Sequence, residues 1–420
     1  MAEIKLSVER LQTGVFVKLP VKWGEHPFMF TSFKIKSQDQ IEVIRNLGLK
    51  HVIVVPEKST APPLPVIEDG AKTAPTDKDV SQKAEKALWE EKRARIEELK
   101  NYRRNLQKVE KEFDRSMSQV RAVMSKLKSR PLNAVEDATT LINNLADDLL
   151  SGENVVLHLM NDSKDADSFY YHSLNVSILA MMLAKAAGFS ERDIKVLGIA
   201  GLFHDVGKMK IPDKILRKSG KLTAQEANLL KMHTKYGADF LKLSETIPPQ
   251  VKLIAQQHHE YLDGSGYPQK LKGDEIDRLS QLIAVVNEYD SLCHPRDPRL
   301  SRIPFTVIAY LYKQRKQQLN TADLGILIRL LGIYPPGSVV QLSSGQIGLV
   351  MSVNSERLLF PTVQVYDPNI PRTEAPIIDL EAAGLTIEKA LKPSALPEAI
   401  FEYLNPRARI SYYFDHNKRL

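Results

Sequence analysis

The chain is expected to be mainly α-helical, a helical bundle with a small α/β module ahead of it, a long connecting helix, and a small β-rich appendage behind. Three observations predict this. From Phe169 to Leu292 apolar residues recur at helical spacing in one segment after another. Between Asp79 and Arg130, Leu99, Leu106, Phe113, Val120 and Leu127 fall seven apart, joined by Ile96, Tyr102, Val109, Met117 and Met124, with charges elsewhere. Strand-like runs bounded by turn residues lie toward the two ends. With 420 residues, 43% of them hydrophobic, two or three domains with real cores are expected. The boundaries read as 1–58 for the module, 59–78 for a linker, 79–130 for the long helix, 131–335 for the bundle and 336–420 for the appendage.

In the module, Leu11 to Val17 gives a turn and a strand, Ser37 to Leu47 a capped helix, and His51 to Val55 a closing strand. Ser59 to Asp77 is rich in Pro, Ala and Thr, lacks periodicity, and is expected to let the module move. The long helix has two readings, a parallel dimer coil or a helix packed along its own bundle. The steps Val109 to Phe113 to Met117 are both fours and break the strict heptad. Arg93, Arg95, Arg103 and Arg104 read as a solvated charged face rather than a nucleic-acid contact.

Pro131 marks a break, and Leu132 to Leu159 reads as further helix. The bundle then continues through Phe169–Lys185, Glu191–Phe203, Thr223–Leu243, Val251–His259 and Leu279–Leu292. After Gly332, Val339–Leu342, Ile347–Val353 and Thr362–Tyr366 read as strands.

Composition bounds the function. One cysteine, Cys293, excludes an internal disulfide framework and suits a reducing compartment. It reads as a plain core or surface residue rather than a nucleophile. No apolar run approaches membrane length and no signal-peptide pattern opens the chain, so a soluble, cytoplasmic protein is expected. The net charge of +7 suits an anionic ligand. Because Lys and Arg are largely matched by Asp and Glu in the polar helices, nucleic acid is not expected.

The chemistry concentrates between Gly201 and Pro268, in His204-Asp205-Val206-Gly207-Lys208, His233, His258-His259-Glu260 and Asp263-Gly264-Ser265-Gly266-Tyr267-Pro268. A hydrolytic metal site needs neutral imidazoles, a carboxylate and an open position for water. Four histidines and an aspartate in apolar surroundings outweigh the alternative of satisfied core histidines. Asp205 can give one oxygen to each of two cations. Lys208, three residues on, is placed to stabilise charge on a phosphoryl oxygen. The loop from Gly264 to Pro268 reads on its own as a tight turn with a stacking Tyr267.

These residues, with Ile211-Pro212, Gly220 and Leu222, resemble the HD-GYP branch of the HD phosphohydrolases over roughly Phe169 to Gly345. Upstream, Tyr171-His172-Ser173-Leu174-Asn175-Val176 is similar to the opening His-Ser motif of that family and adds His172 as a ligand. Trp23-Gly24-Glu25-His26-Pro27-Phe28 resembles the module of unknown function that often precedes such domains. The resemblance implies hydrolysis of cyclic di-GMP to pGpG or GMP with divalent iron or manganese. It implies a binding role for Tyr267 and the Gly264–Pro268 loop, the latter toward diguanylate cyclase domains, and a phosphate grip by Arg296 and Arg299. It places Asp290 with the substrate-binding residues. Where the family carries a metal-binding Asp this chain has Asn287, and Gln281 replaces the usual Arg. Ser168 stands where some relatives carry a Glu for a third metal, so two metals are the upper expectation. An amide binds a metal more weakly than a carboxylate. The implied function is therefore a cyclic di-GMP phosphodiesterase with Asp205 and Lys208 as catalytic residues. The alternative is a weakened relative that binds the dinucleotide or a cyclase domain and signals through the long helix. A nucleotide-directed HD hydrolase is a third reading, against which the intact loop argues.

Overall fold

The computed structural model describes residues 3–65, 78–127, 129–151, 156–160, 168–218, 220–295, 302–353, 357–405 and 411–415. The module comprises β1 (Ile4–Ser7), β2 (Phe16–Lys18), β3 (Ser32–Lys34), α1 (Gln38–Asn46) and β4 (His51–Val54). Its antiparallel sheet has the order β1-β4-β2-β3. Ser37 caps α1 by accepting from the Gln40 N–H, which turns Ile41, Val43 and Ile44 onto Val17, Val52 and Val54.

The long helix, α2 (Lys78–Lys126), has two differently occupied ends. Near its start Ala84 and Leu88 pack on the core of the module. One turn further on Lys92, only 2% exposed, donates to the carbonyls of Trp23 and His26 and lies 3.9 Å from the Trp23 ring centroid. The buried ammonium ties module to helix. The start of the expected linker is also tied back, with the Thr60 N–H on Gly14 O (2.8 Å) and the Leu64 N–H on Arg10 O (2.9 Å). The rest of the expected linker, residues 66–77, lies outside the described residues. At the other end Val109, Phe113, Met117, Val120, Met124 and Leu127 are buried in the core of the bundle. For this half the helix packs along its own domain, and steps of four keep a straight helix in register with it. The side chains of Leu99, Tyr102 and Leu106 lie outside the described residues.

The bundle follows with α3 (Pro131–Ser151), which starts on a proline as a first turn tolerates. Next comes β5 (Val156–Met160), a strand where helix was expected as far as Leu159. The helices continue as α4 (Ser168–Ala186), α5 (Glu191–Phe203), α6 (Asp213–Leu216), α7 (Ala224–Lys231), α8 (His233–Leu241), α9 (Pro249–Gln257), α10 (Arg278–Cys293), α11 (Pro304–Gln314) and α12 (Thr321–Leu331). The single helix expected over Thr223–Leu243 is two, broken at Met232, so that His233 opens α8. The last two helices were not anticipated, although Pro304, the Asn320 cap and Gly332 at φ 73° are their start and stop signals.

Close approach of α4 and α5 depends on small residues. A Cβ on Gly201 would lie 2.5 Å from the Ser177 Cα, and Ser177 Oγ donates to Gly198 O at 2.7 Å. Helix α10 is buried around most of its circumference, from Leu279 through Leu282–Asn287 to Tyr289, Asp290 and Cys293, and forms the axis of the bundle. Behind it come β6 (Val339–Leu342), β7 (Ile347–Ser352), β8 (Thr362–Val365), β9 (Ile377–Asp379), α13 (Leu380–Ala383), β10 (Ile387–Leu391), α14 (Glu398–Leu404) and β11 (Ser411–Asp415). The antiparallel sheet runs β10-β6-β7-β8-β9, while β11 pairs instead with β5, Ser411 opposite Met160. Among the described residues no helix is long and apolar enough to cross a membrane.

His26 makes the module–helix joint sensitive to acid. It is fully buried and, among the described residues, neither ring nitrogen has a hydrogen-bond partner. Burial, reinforced by the Lys92 charge, lowers its pKa to about 4. The unfolded chain takes up this proton near pH 6.5 and the folded chain only near 4, so stability present above that window falls as pH drops through it. The two tryptophans, Trp23 and Trp89, both lie beside Lys92. Urea unfolding followed by tryptophan fluorescence should show a midpoint that falls between pH 6.5 and 4, and falls less in His26→Gln. An equal fall in both proteins would assign the acid sensitivity to another group.

Candidate metal centre

Three candidate ligands sit at helix ends, where the chain leaves carbonyls free. His204 follows α5 and directs Nδ1 to Gly201 O at 2.8 Å. His258 follows α9 and directs Nδ1 to Ala255 O at 3.0 Å, and His233 does the same to Leu230 O at 2.7 Å. A carbonyl only accepts, so each Nδ1 carries a proton, and in the neutral ring each Nε2 presents a lone pair. His172, on α4, reaches the same state through Asp290, whose Oδ2 accepts from its Nδ1 at 2.6 Å. Burial opposes ionisation of Asp290, but the His294 and His172 rings outweigh it and hold the carboxyl well below the usual range.

The four Nε2 atoms converge in two pairs, His172 with His204 and His233 with His258, each 3.2 Å apart. Lone pair facing lone pair is repulsive unless a cation lies between or beside them. Asp205 stands between the pairs. Its Oδ2 is 3.5 Å from His172 Nε2 and 3.4 Å from His204 Nε2, and its Oδ1 is 3.2 Å from His233 Nε2 and 3.7 Å from His258 Nε2. Oδ1 is buried and, among the described residues, has no hydrogen-bond partner. An orphaned carboxylate oxygen among imidazole lone pairs fits a divalent cation. Ligand atoms of Asp205, His233, His258 and His259 lie within 4.8 Å of one another, as do those of His172, His204 and Asp205. Burial lowers the pKa of His258 to about 3 and that of His259 well below the usual value, so both are neutral at physiological pH. Burial works to raise the Asp205 pKa, yet Lys208 and His204 hold it well down.

Lys208, on a 3-10 turn from Val206 to Lys210, places its ammonium on Asp205 Oδ2 and is partly exposed. Tyr267 stacks on His259 with centroids 4.6 Å apart and planes 21° apart. Glu260, missed as a functional residue though adjacent to the double histidine, holds that loop in place. Its two buried carboxylate oxygens accept the Gln269 N–H at 2.6 Å and the Leu271 N–H at 3.1 Å.

The geometry brings together His172, His204, Asp205, Lys208, His233, His258, His259 and Tyr267. It corrects Asp290, expected at the substrate: the residue is fully buried and its oxygens are occupied by His172, Asn175 (3.0 Å) and His294 (3.2 Å). Asp290 instead orients the His172 ring. Asn287, one turn earlier on α10, is buried with Oδ1 accepting from Ser291 Oγ at 3.4 Å. Arg296 and Arg299 lie outside the described residues. Cys293 is buried, and burial pushes its thiol well above the usual range, which removes it as a nucleophile.

Gly207 sets the spacing between Asp205 and His233. A Cβ there would lie 1.9 Å from His233 O and 2.4 Å from the Gly237 N, both backbone atoms that have little room to yield. Gly207→Ala should therefore push α8 away, lowering stability by about 1–3 kcal/mol and metal retention with it. Thermal unfolding together with metal analysis checks this; unchanged metal content would show that the spacing is not critical.

Residues 144–322 match the HD domain, and residues 3–138 match a domain of unknown function, DUF3391. A cyclic di-GMP phosphodiesterase of Pseudomonas aeruginosa is 28% identical over 389 residues, covering 91% of this chain and 90% of its own length. The cyclic di-GMP phosphodiesterase response regulator RpfG of Xanthomonas campestris is 37% identical over 155 residues, 37% of this chain and 41% of that protein. A 3'3'-cGAMP-specific phosphodiesterase of Vibrio cholerae is 41% identical over 122 residues, 29% of this chain and 23% of that protein. The aligned region thus spans less than half the length of the latter two relatives. Taken with the paired imidazole sets around Asp205 and the Tyr267 loop beside them, these matches show an HD domain over residues 144–322 behind a DUF3391 module over residues 3–138.

Proposed function

We propose that this chain is a metal-dependent phosphodiesterase that hydrolyses cyclic di-GMP to pGpG, GMP or both. The observation that carries the reading is a single buried carboxylate, Asp205, shared between two sets of imidazoles. The names of its relatives supply the substrate. Two divalent ions, iron or manganese, suit the mixed nitrogen and oxygen donors. When bound, they supply a water activated at neutral pH and polarise the phosphoryl oxygens. His233, His258 and His259 with Asp205 Oδ1 would hold one ion, and His172 and His204 with Asp205 Oδ2, completed by Asn287, the other. Lys208 meets the phosphoryl oxygen on which charge builds, and Tyr267 walls the entrance beside His259. Arg296 and Arg299 are assigned to the dinucleotide phosphates. The partly exposed Gly264–Pro268 loop is the proposed contact for a diguanylate cyclase domain, and the stretch of α2 between its two packed ends the proposed homodimer contact. A cytoplasmic location fits the lone reduced cysteine.

Asn287 favours a second reading, a weakened enzyme that binds the dinucleotide and signals. Protein reconstituted anaerobically with iron(II) or manganese(II) and offered cyclic di-GMP, with 3'3'-cGAMP in parallel, separates the two. Linear product from cyclic di-GMP supports the first reading. Tight binding without turnover supports the second, and neither binding nor turnover removes both.

Replacing the Lys208 ammonium tests its role directly. Lys208→Ala should lower kcat about a hundredfold or more while both metals stay bound. Metal lost in parallel with turnover would mean that Lys208 serves to hold Asp205.

Charge at position 287 should set the order of metal loss. The His172 half has one candidate ligand fewer among histidines and carboxylates, and the residue assigned to complete it is a neutral amide, so it should empty first under chelation. Asn287→Asp should tighten that ion about ten- to a hundredfold, read by metal analysis during stepwise chelation. An unchanged profile would show that residue 287 does not face the metal.

A further inference from the structure

Helix α10 ends on His294, which is followed by Pro295. A residue before proline is pushed out of the helical region, and His294 adopts φ −127°, ψ 61°, with its N–H still on Asp290 O at 2.8 Å. That backbone turns its ring back over the last helical turn, so Nδ1 meets Asp290 Oδ1 at 3.2 Å. Asn175, from α4, approaches the same oxygen at 3.0 Å. Two donors from different elements on Oδ1 stop the carboxylate from turning about its Cβ–Cγ bond. The other oxygen is thereby kept on His172 Nδ1 at 2.6 Å.

We propose that His294 is a positioning residue for metal binding: it locks Asp290, and through Asp290 it fixes the orientation and the Nε2 lone pair of His172. The inference rests on the metal-centre reading above and names a residue beyond it. Its logic lies in charge. Asn287 brings none, so Asp290 is the carboxylate of α10 that supports this half of the centre, acting through an imidazole rather than by direct ligation. A carboxylate used in that way must be held more tightly than one that binds the ion itself, because a rotated Asp290 would release the ring.

The test uses the full-length chain, His294→Asn and His294→Leu, nearly equal in size, with stepwise manganese(II) affinities measured calorimetrically. Asn keeps a donor close to the position of Nδ1, and Leu does not. In His294→Leu one of the two manganese steps should weaken about ten- to a hundredfold with the other unchanged, and His294→Asn should restore it to within a few-fold. The metal-free midpoints of the two variants should agree. Both steps unchanged in His294→Leu, both weakened equally, or His294→Asn no better than His294→Leu would overturn the positioning role. Wild type that binds no manganese would overturn the metal-centre reading itself and this inference with it.

Discussion

A carboxylate that cannot satisfy itself governs this structure. Asp205 is buried and kept ionised, and one of its oxygens finds no donor among the described residues. Around it the chain has spent its helix ends: α5 and α9 stop at His204 and His258, and α8 begins at His233. Each ring is pinned by a carbonyl three residues back, which fixes the tautomer without any further side chain. An arrangement of this kind is destabilising as bare protein and becomes favourable when positive charge enters, so ligand binding and folding energy are linked.

The two halves of the centre are supported differently. The His233 half leans on backbone carbonyls and on the loop that Glu260 holds, both parts of one continuous stretch of chain. Support for His172 comes instead from side chains on α4 and α10, while its neighbour His204 leans on a carbonyl of α5, the helix that Gly201 lets close on Ser177 of α4. Lower α2 packs on α4, with Phe113 and the Tyr171 ring next to His172 at 5.9 Å. A displacement of α2 would therefore reach the His172 half before the other, and the N-terminal module is tied to that helix through Lys92.

Much of the centre was legible because its ligands fall at the ends of apolar runs within one short stretch, and such a cluster has few other uses. His172 was not legible from spacing, since it lies on another helix, and only the resemblance supplied it. Asp290 was misread as a substrate contact because sequence does not say which side of α10 faces inward. Asn175 and His294 act through Asp290: His294 carries no motif, and the motif that holds Asn175 does not say what its side chain bonds. Lys92 sits among the charges of a polar helix, and nothing local distinguishes a lysine that enters a cage of carbonyls and an indole from its solvated neighbours. The break at Met232 hid because the apolar spacing continues across it. Strand β5 was read as helix because what makes it a strand is its partner at the far end of the chain.

That pairing bears on how the protein can be cut. Removing everything after residue 335, as the domain boundaries invite, would strip β11 from β5 and leave a row of open backbone donors and acceptors directly ahead of α4. An unpaired edge of that sort recruits other chains, so an excised helical domain would be prone to self-association for reasons unrelated to its chemistry. During synthesis the same edge waits for its partner until Ser411–Asp415 have emerged from the ribosome.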